Sequence, residues 1–256
     1  MISRSLIILA AFAALLASAP ALAITGNAPP ATGWAARPIV MVTDGRGNLC
    51  TGTALTRDLV LTAAHCVALP IPYRARAYQN GATIDVRQVM RHPGFSMANY
   101  AASRATADIA LVKLSSPLPD IVVPAALAAA RRVAVGETLT IAGFGVTRNK
   151  TDHGLGIPRM AALTVTGKPG SLQVRLHDPA TLNKRAGQSP GLGGCVGDSG
   201  GPAFDGEGPL VIGIISWSTA PNDEEGCGGL TGVTPLLNYR QWIVDTAKKL
   251  GSPLAP

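Results

Sequence analysis

Little of this 256-residue chain is charged and very little is aromatic, 14% and 4% respectively. High net charge with few apolar residues keeps a chain unfolded, and at 47% hydrophobic residues that reading is excluded. Basic residues outnumber acidic ones, 22 to 15, but they are scattered in nothing longer than adjacent pairs such as Arg131-Arg132 and Lys248-Lys249. With no arginine-rich helix and no basic patch interleaved with aromatics, no nucleic-acid partner is expected. Beyond Ala23 no apolar run is long enough to cross a bilayer. Cysteine is scarce too. None of Cys50, Cys66, Cys195 and Cys227 has a second cysteine two to four residues away, which argues against a zinc site.

What is abundant is glycine and proline, 29 and 20 residues, about a fifth of the chain. That count suits many short strands joined by turns better than a helix bundle. The length suits one large or two small domains with a proper core. The positive mean hydropathy of +0.26 comes in good part from the first 23 residues. There Arg4 precedes an apolar run from Leu6 to Leu16, followed by Ala-Pro-Ala-Leu-Ala ending at Ala23, the layout of a secretory signal peptide. An uncleaved membrane anchor is the rival reading; Pro20, the alanine-rich end and the lack of following positive charge weigh against it. Cleavage after Ala23 leaves 233 residues with formal charge +6, since Arg4 is the one charged residue removed. The mature chain is expected to be secreted or periplasmic, off the membrane and monomeric. In such a compartment the four cysteines predict two disulfides, and spacings of 16 and 32 favour Cys50 with Cys66 and Cys195 with Cys227 among three pairings.

Short runs rich in Val, Ile, Leu and Thr, bounded by Gly, Pro, Asp or Asn, predict strands at 38–42, 53–55, 60–62, 83–90, 109–114, 137–142, 160–166, 172–176 and 210–217. A single helix is expected over 236–250, where apolar residues recur at helical spacing and Gly251 follows. This reads as an all-β sandwich or a pair of barrels. Composition places a seam around 118–135, giving halves of about 24–125 and 126–256.

Gly197-Asp198-Ser199-Gly200-Gly201 has the form G-x-S-x-G, which also marks the nucleophile turn of α/β-hydrolases. Those enzymes need a histidine after the serine. Here His65, His92, His153 and His177 all precede it, so that reading fails. A serine hydroxyl needs a base to take its proton, and the base needs a carboxylate to hold its tautomer. In the order His…Asp…Ser, His65 follows the apolar run Leu61-Thr62-Ala63-Ala64, and Asp108 heads Ile109-Ala110-Leu111-Val112. An aspartate opening so apolar a run implies a buried partner. His92, His153 and His177 read as loop or surface histidines.

Leu-Thr-Ala-Ala-His-Cys, Asp-Ile-Ala-Leu and Gly-Asp-Ser-Gly-Gly-Pro, in this order, resemble the trypsin/chymotrypsin family of serine peptidases. The likeness extends through Ile141–Gly145, Ser216-Trp217 and the closing Tyr239–Trp242 segment, essentially the whole mature chain. The resemblance implies two six-stranded antiparallel β-barrels with the active site between them and a C-terminal α-helix. It makes Ser199 the nucleophile, His65 the base and Asp108 its orienting carboxylate, with the amides of Gly197 and Ser199 as the oxyanion hole. Ser216 would support Asp108 and, with Trp217 and Ser218, pair with substrate as an added strand. Polypeptides would be the substrates and protein inhibitors further partners, with no metal or other cofactor. A silent pseudo-peptidase that only binds, and an esterase using the same site, remain the alternatives.

Two features depart from the family pattern. Relatives insert a new N-terminal Ile against the aspartate before the serine, after a cut behind a basic residue. Here Ile24-Thr25-Gly26-Asn27 stands directly behind the signal sequence, so Ile24 and Asp198 are expected to pair once signal peptidase has cut. Asn27 stands where relatives usually carry glycine. At the base of the primary pocket, where trypsin-like enzymes carry an aspartate, this chain has Gly193 beside Gly194. With Gly232 on the wall and Ser218 narrowing the entrance, the pocket is expected to be neutral. A long loop carrying Asp223-Glu224-Glu225 offers the one route to a basic preference.

Overall fold

The computed structural model describes residues 24–167, 170, 172–182 and 190–254. The expected signal sequence lies outside the described residues. Six short strands form a first closed barrel: β1 (Ile39–Asp44), β2 (Leu49–Ala54), β3 (Leu59–Thr62), β4 (Tyr73–Arg76), β5 (Thr83–Arg91) and β6 (Ala110–Leu114). They are antiparallel neighbours in the order β1-β2-β3-β6-β5-β4, with β4 returning to β1. The second barrel comprises β8 (Thr138–Gly143), β9 (Arg159–Thr166), β10 (Val174–His177), β11 (Pro202–Asp205), β12 (Leu210–Ser218) and β13 (Thr231–Pro235). Its order is β11-β8-β9-β10-β13-β12, closed by β12 pairing with β11. A two-residue strand between the barrels, β7 (Ala126–Leu127), adds to β12 in parallel. The expected all-β architecture of two six-stranded antiparallel barrels is therefore what the chain adopts.

Closure gives each barrel strand two neighbours, so each barrel can bury its inward side chains. Val40, Val42, Val60, Ala75, Ala110 and Val112 fill the first, and Ile141, Leu163, Val165, Leu176, Ile212 and Val233 the second. A third apolar cluster lies where the barrels meet, with Leu61 and Leu111 from one and Phe144, Phe204 and Ile214 from the other. The ends of the chain cross over. Ile24 and Ala28 pack into the second barrel, while Leu236, Tyr239, Ile243 and Ala247 join the cluster shared with the first. Beyond the terminal helix, Ser252 and Lys113 both hydrogen-bond Asp58, which ties the tail to β6 and the β2–β3 turn.

The terminal helix, α3, runs over Arg240–Lys249 instead of 236–250. Leu236 N–H still bonds the Ile212 carbonyl across the sheet, and the chain turns at Tyr239 before it can coil. Two further short helices were not expected, α1 (Gly33–Ala36) and α2 (Met97–Ala101). Both expected disulfides form, Cys50–Cys66 and Cys195–Cys227.

Candidate active site

The buried strand β3 runs into Ala63 and Ala64, both fully buried, and His65 then opens one turn of 3₁₀ helix. The Cys50–Cys66 bridge pins that turn to β2. Asp108 stands just ahead of β6 with its side chain 2% exposed, and the His65 side chain is 13% exposed. Three donors converge on this one carboxylate. His65 Nδ1–H meets Oδ2 at 2.7 Å, the His65 backbone N–H meets Oδ1 at 2.9 Å, and the Ser216 hydroxyl meets Oδ2 at 2.6 Å. A carboxylate can only accept, so this bond fixes the histidine proton on Nδ1 and leaves Nε2 with a free lone pair. The partner inferred for Asp108 from its apolar setting is thus His65, with Ser216 beside it.

Ser199 lies on the loop between Cys195 and β11. Its carbonyl oxygen is 3.7 Å from the Cys66 sulfur, which in turn is 3.6 Å from His65 Nε2, so the Ser199 backbone and the His65 ring, from different barrels, both lie against the Cys66 sulfur. The loop is held at both flanks: Gly200 N–H bonds the Ile215 carbonyl at 2.7 Å, and the Ser199 carbonyl accepts from Thr51 N–H at 2.8 Å. Gly197 sits at φ +96°, a backbone region that side-chain-bearing residues rarely enter. Neither its amide nor that of Ser199 donates to another group among the described residues.

Asp198, between them, is fully buried. Its carboxyl accepts from Gly145 N–H at 2.8 Å and Cys195 N–H at 2.9 Å, and no cationic side chain pairs with it among the described residues. Burial pushes this carboxyl up to about 7, against the pull of those two amides. Room for it depends on Gly145, where an added Cβ would lie 2.7 Å from the carboxyl carbon. The Ile24 segment runs nearby. Thr25 N–H bonds Gly193 O at 3.1 Å, and its hydroxyl bonds Thr147 O at 2.7 Å. Asn27 has φ +64°, which asparagine tolerates better than most residues standing in for glycine.

Among the residues expected at the primary pocket, an added Cβ on Gly193 would lie 3.3 Å from both Gly228 Cα and Thr231 Oγ1, and Gly194 N–H bonds Thr231 Oγ1 at 2.9 Å. Ser218 turns its hydroxyl to the Gly226 carbonyl, at 2.9 Å. Gly232 pairs with Trp217 across β12 and β13, and the indole lies directly against it. Asp223, Glu224 and Glu225 are all exposed.

Two neighbours of the site carry no signal in the sequence. Tyr100, on α2, stacks on the His65 ring with centroids 4.3 Å apart and planes 12° apart, and its hydroxyl bonds the Ser216 carbonyl at 3.2 Å. Burial, with Asp108 adding to it, holds this phenol well above its usual range. Thr51 is the other. Its hydroxyl bonds the Gly197 carbonyl 146 residues away. Neither residue belongs to a local motif, so only the fold reveals them. Of the other histidines, His92 packs edge-on against Tyr239 and Trp242, and His153 is exposed. Cys50, His65 and Cys66 hold potential ligand atoms within 4.8 Å of one another, but the disulfide leaves no thiolate there to bind a metal.

Two closed antiparallel barrels, with a histidine–aspartate pair from one facing a G-D-S-G-G loop from the other, define the class of two-barrel serine peptidases. The chain belongs to the trypsin family: the family model described as Trypsin matches residues 24–243. It is similar to the snake venom serine protease rhinocerase 4 of Bitis rhinoceros, 28% identical over 81% of each chain. It is also similar to the anionic trypsin of Bos taurus, 29% identical over 78% of this chain and 80% of that one. Among solved structures, neuropsin, a serine protease expressed in mouse brain, superposes with TM-score 0.67 at 25% identity, covering 86% of this chain and 98% of that one. The protein is a trypsin-like serine endopeptidase.

Proposed function

We propose that this peptidase is exported and cleaves polypeptides through an acyl-enzyme, with Ser199 as nucleophile, His65 as base and Asp108 as orienter. The observation that carries the reading is the convergence of the His65 Nδ1–H, the His65 amide and the Ser216 hydroxyl on the buried Asp108 carboxylate. It leaves Nε2 of His65 as the acceptor for the Ser199 proton. As Ser199 Oγ attacks the substrate carbonyl, that proton passes to Nε2, and the carbonyl oxygen takes up negative charge. The free amides of Gly197 and Ser199 receive that charge. His65 then gives the proton to the departing amine, and water repeats the sequence on the acyl-serine. The Ser216–Ser218 edge of β12 supports pairing with an extended substrate backbone.

A fluorophosphonate tests the chemistry. It is expected to label the wild-type chain on Ser199 and to leave the Ser199→Ala variant unlabelled. A wild-type chain that takes no label is a binding module, and the reading fails. Labelling with hydrolysis of esters but not of peptides would place it among the esterases.

For specificity, the residues near Gly193 support a neutral primary pocket, since Gly194, Gly228 and Thr231 bring no charge to it. An apolar or aromatic side chain before the scissile bond is the substrate such a pocket takes. Cleavage of a peptide library is therefore expected to favour those residues. A preference for Arg or Lys would mean that Asp223, Glu224 or Glu225 folds back to the pocket, and would overturn the assignment. Export rests on the leader-like first 23 residues; among the described residues, no helix is long and apolar enough to cross a membrane.

A further inference from the structure

We propose that Thr51 is a positioning residue that locks the oxyanion-binding loop of the second barrel to the histidine of the first; the inference rests on the roles proposed above for His65, Gly197 and Ser199. Thr51 lies in β2 and is fully buried. Four hydrogen bonds use every polar atom it has. Its N–H donates to the Ser199 carbonyl at 2.8 Å, and its hydroxyl donates to the Gly197 carbonyl at 2.8 Å. The same hydroxyl accepts from Phe144 N–H at 3.0 Å, and the Thr51 carbonyl accepts from the Thr62 hydroxyl at 2.8 Å.

One residue of the first barrel thus grips the loop on both sides of Asp198. The peptide plane that carries the Gly197 carbonyl cannot rotate without breaking the hydroxyl bond. Gly197, at φ +96°, has no Cβ to resist that rotation by itself. That plane also carries the Asp198 N–H, which bonds the Cys195 carbonyl at 3.0 Å within the loop; from outside it, Thr51 adds a hold on the two planes that flank the one carrying the Ser199 amide.

The path to the histidine is short. Thr51 follows Cys50, Cys50 is bridged to Cys66, and Cys66 follows His65. Thr62, whose hydroxyl holds the Thr51 carbonyl, ends the strand that leads into His65. The base and the amides that receive the developing charge come from separate barrels, so their separation is set by whatever joins the barrels at this point. Thr51 is that join. Valine would fill the same space but leave the buried Gly197 carbonyl and Phe144 N–H without this partner, which a single hydroxyl now serves as donor and acceptor at once.

The test compares Thr51→Val, Thr51→Ser and wild type in the full chain, with kcat expressed per titratable active site. Thr51→Val is expected to lower kcat about 10- to 100-fold, the scale of a small misplacement of reacting groups. KM should stay within about twofold, because ground-state binding does not use the oxyanion amides. Affinity for a peptide boronate, which mimics the tetrahedral intermediate, should fall by the same factor as kcat. Thr51→Ser, which keeps the hydroxyl, should restore both. If kcat and boronate affinity hold in Thr51→Val while KM alone rises, or if Thr51→Ser is as poor as Thr51→Val, Thr51 only packs and the inference is overturned. Should Thr51→Val fail to fold, Thr51→Ala replaces it; equal kcat in Thr51→Ala and Thr51→Ser then decides against the hydroxyl. A wild-type chain that takes no fluorophosphonate would overturn the functional reading beneath, whereas a labelled, active wild type with indifferent Thr51 variants overturns this inference alone.

Discussion

Asp108→Asn is expected to lower kcat about 10⁴-fold while leaving the protein folded. The size is that of the same change in the prototypical serine-peptidase triad, and the direction follows from the donors around this one side chain. Asp108 presents two oxygens, and three donors meet them: His65 Nδ1–H, the His65 amide and the Ser216 hydroxyl. An asparagine amide has one oxygen and one NH₂. If the NH₂ replaces Oδ2, it donates to Nδ1, and the histidine proton must move to Nε2, the atom that has to accept from Ser199. If the NH₂ replaces Oδ1, it faces the His65 backbone N–H, donor against donor, within a nearly closed site. The first orientation disables the base, the second is disfavoured by that clash, and in both the charge that steadied the imidazolium is gone. Ser216→Ala removes a single donor and keeps the tautomer, so its effect should be far smaller, about tenfold. Steady-state kinetics on titrated enzyme check both. An Asp108→Asn enzyme within tenfold of wild type would mean that His65 is not the base.

The residues in that argument were legible in the sequence because each lies in a short contiguous motif at a strand end. Leu-Thr-Ala-Ala-His-Cys follows β3, Asp-Ile-Ala-Leu opens β6, and Gly-Asp-Ser-Gly-Gly-Pro precedes β11. The disulfides were legible from spacing for a similar reason, since both bridges close short loops. What was not legible is what depends on distant partners. Thr51 reads as one polar residue in Cys-Thr-Gly-Thr, and nothing near it indicates that its hydroxyl reaches Gly197. Tyr100 lies in a loop of mixed composition, and its stacking on His65 exists only because α2 folds over the site. Strand β4 reads Tyr-Arg-Ala-Arg, with its outward face charged, and β13 contains Gly232 and Pro235. Both strands form because barrel closure demands a partner there, which is tertiary context overriding weak local preference.

The second large effect concerns the start of the chain. A form beginning at Ile24 is expected to be active, and one retaining even Ala23 ahead of it to be at least about 100-fold slower, the scale of losing one oxyanion donor. Two observations motivate this. Ile24 is fully buried at φ +46°, a conformation that a β-branched residue adopts only under strain. Cutting before Ile24 removes that constraint, because a free terminus has no φ to satisfy. Asp198, meanwhile, is a fully buried acid served by two amides and no cation among the described residues. A new ammonium at Ile24 would supply a partner for it, and only a closely bonded pair offsets the cost of burying both charges. The two forms therefore lose stability with rising pH in different windows. In the uncut chain, burial raises the Asp198 carboxyl to about 7 from 3.8, so the fold favours the protonated acid. The Asp198 contribution to stability should be fully present below about 4 and be lost as pH rises towards 7. In the cut chain the ammonium gains a partner, which raises its pKa above the ordinary ~8. Its contribution is then fully present below ~8 and is lost, together with activity, as pH rises through the raised value. Melting curves across pH on both forms, with N-terminal sequencing of the exported protein, check this. An uncut chain that matches the cut one in kcat/KM, or an exported form that starts anywhere but Ile24, would show that signal cleavage does not switch this peptidase on.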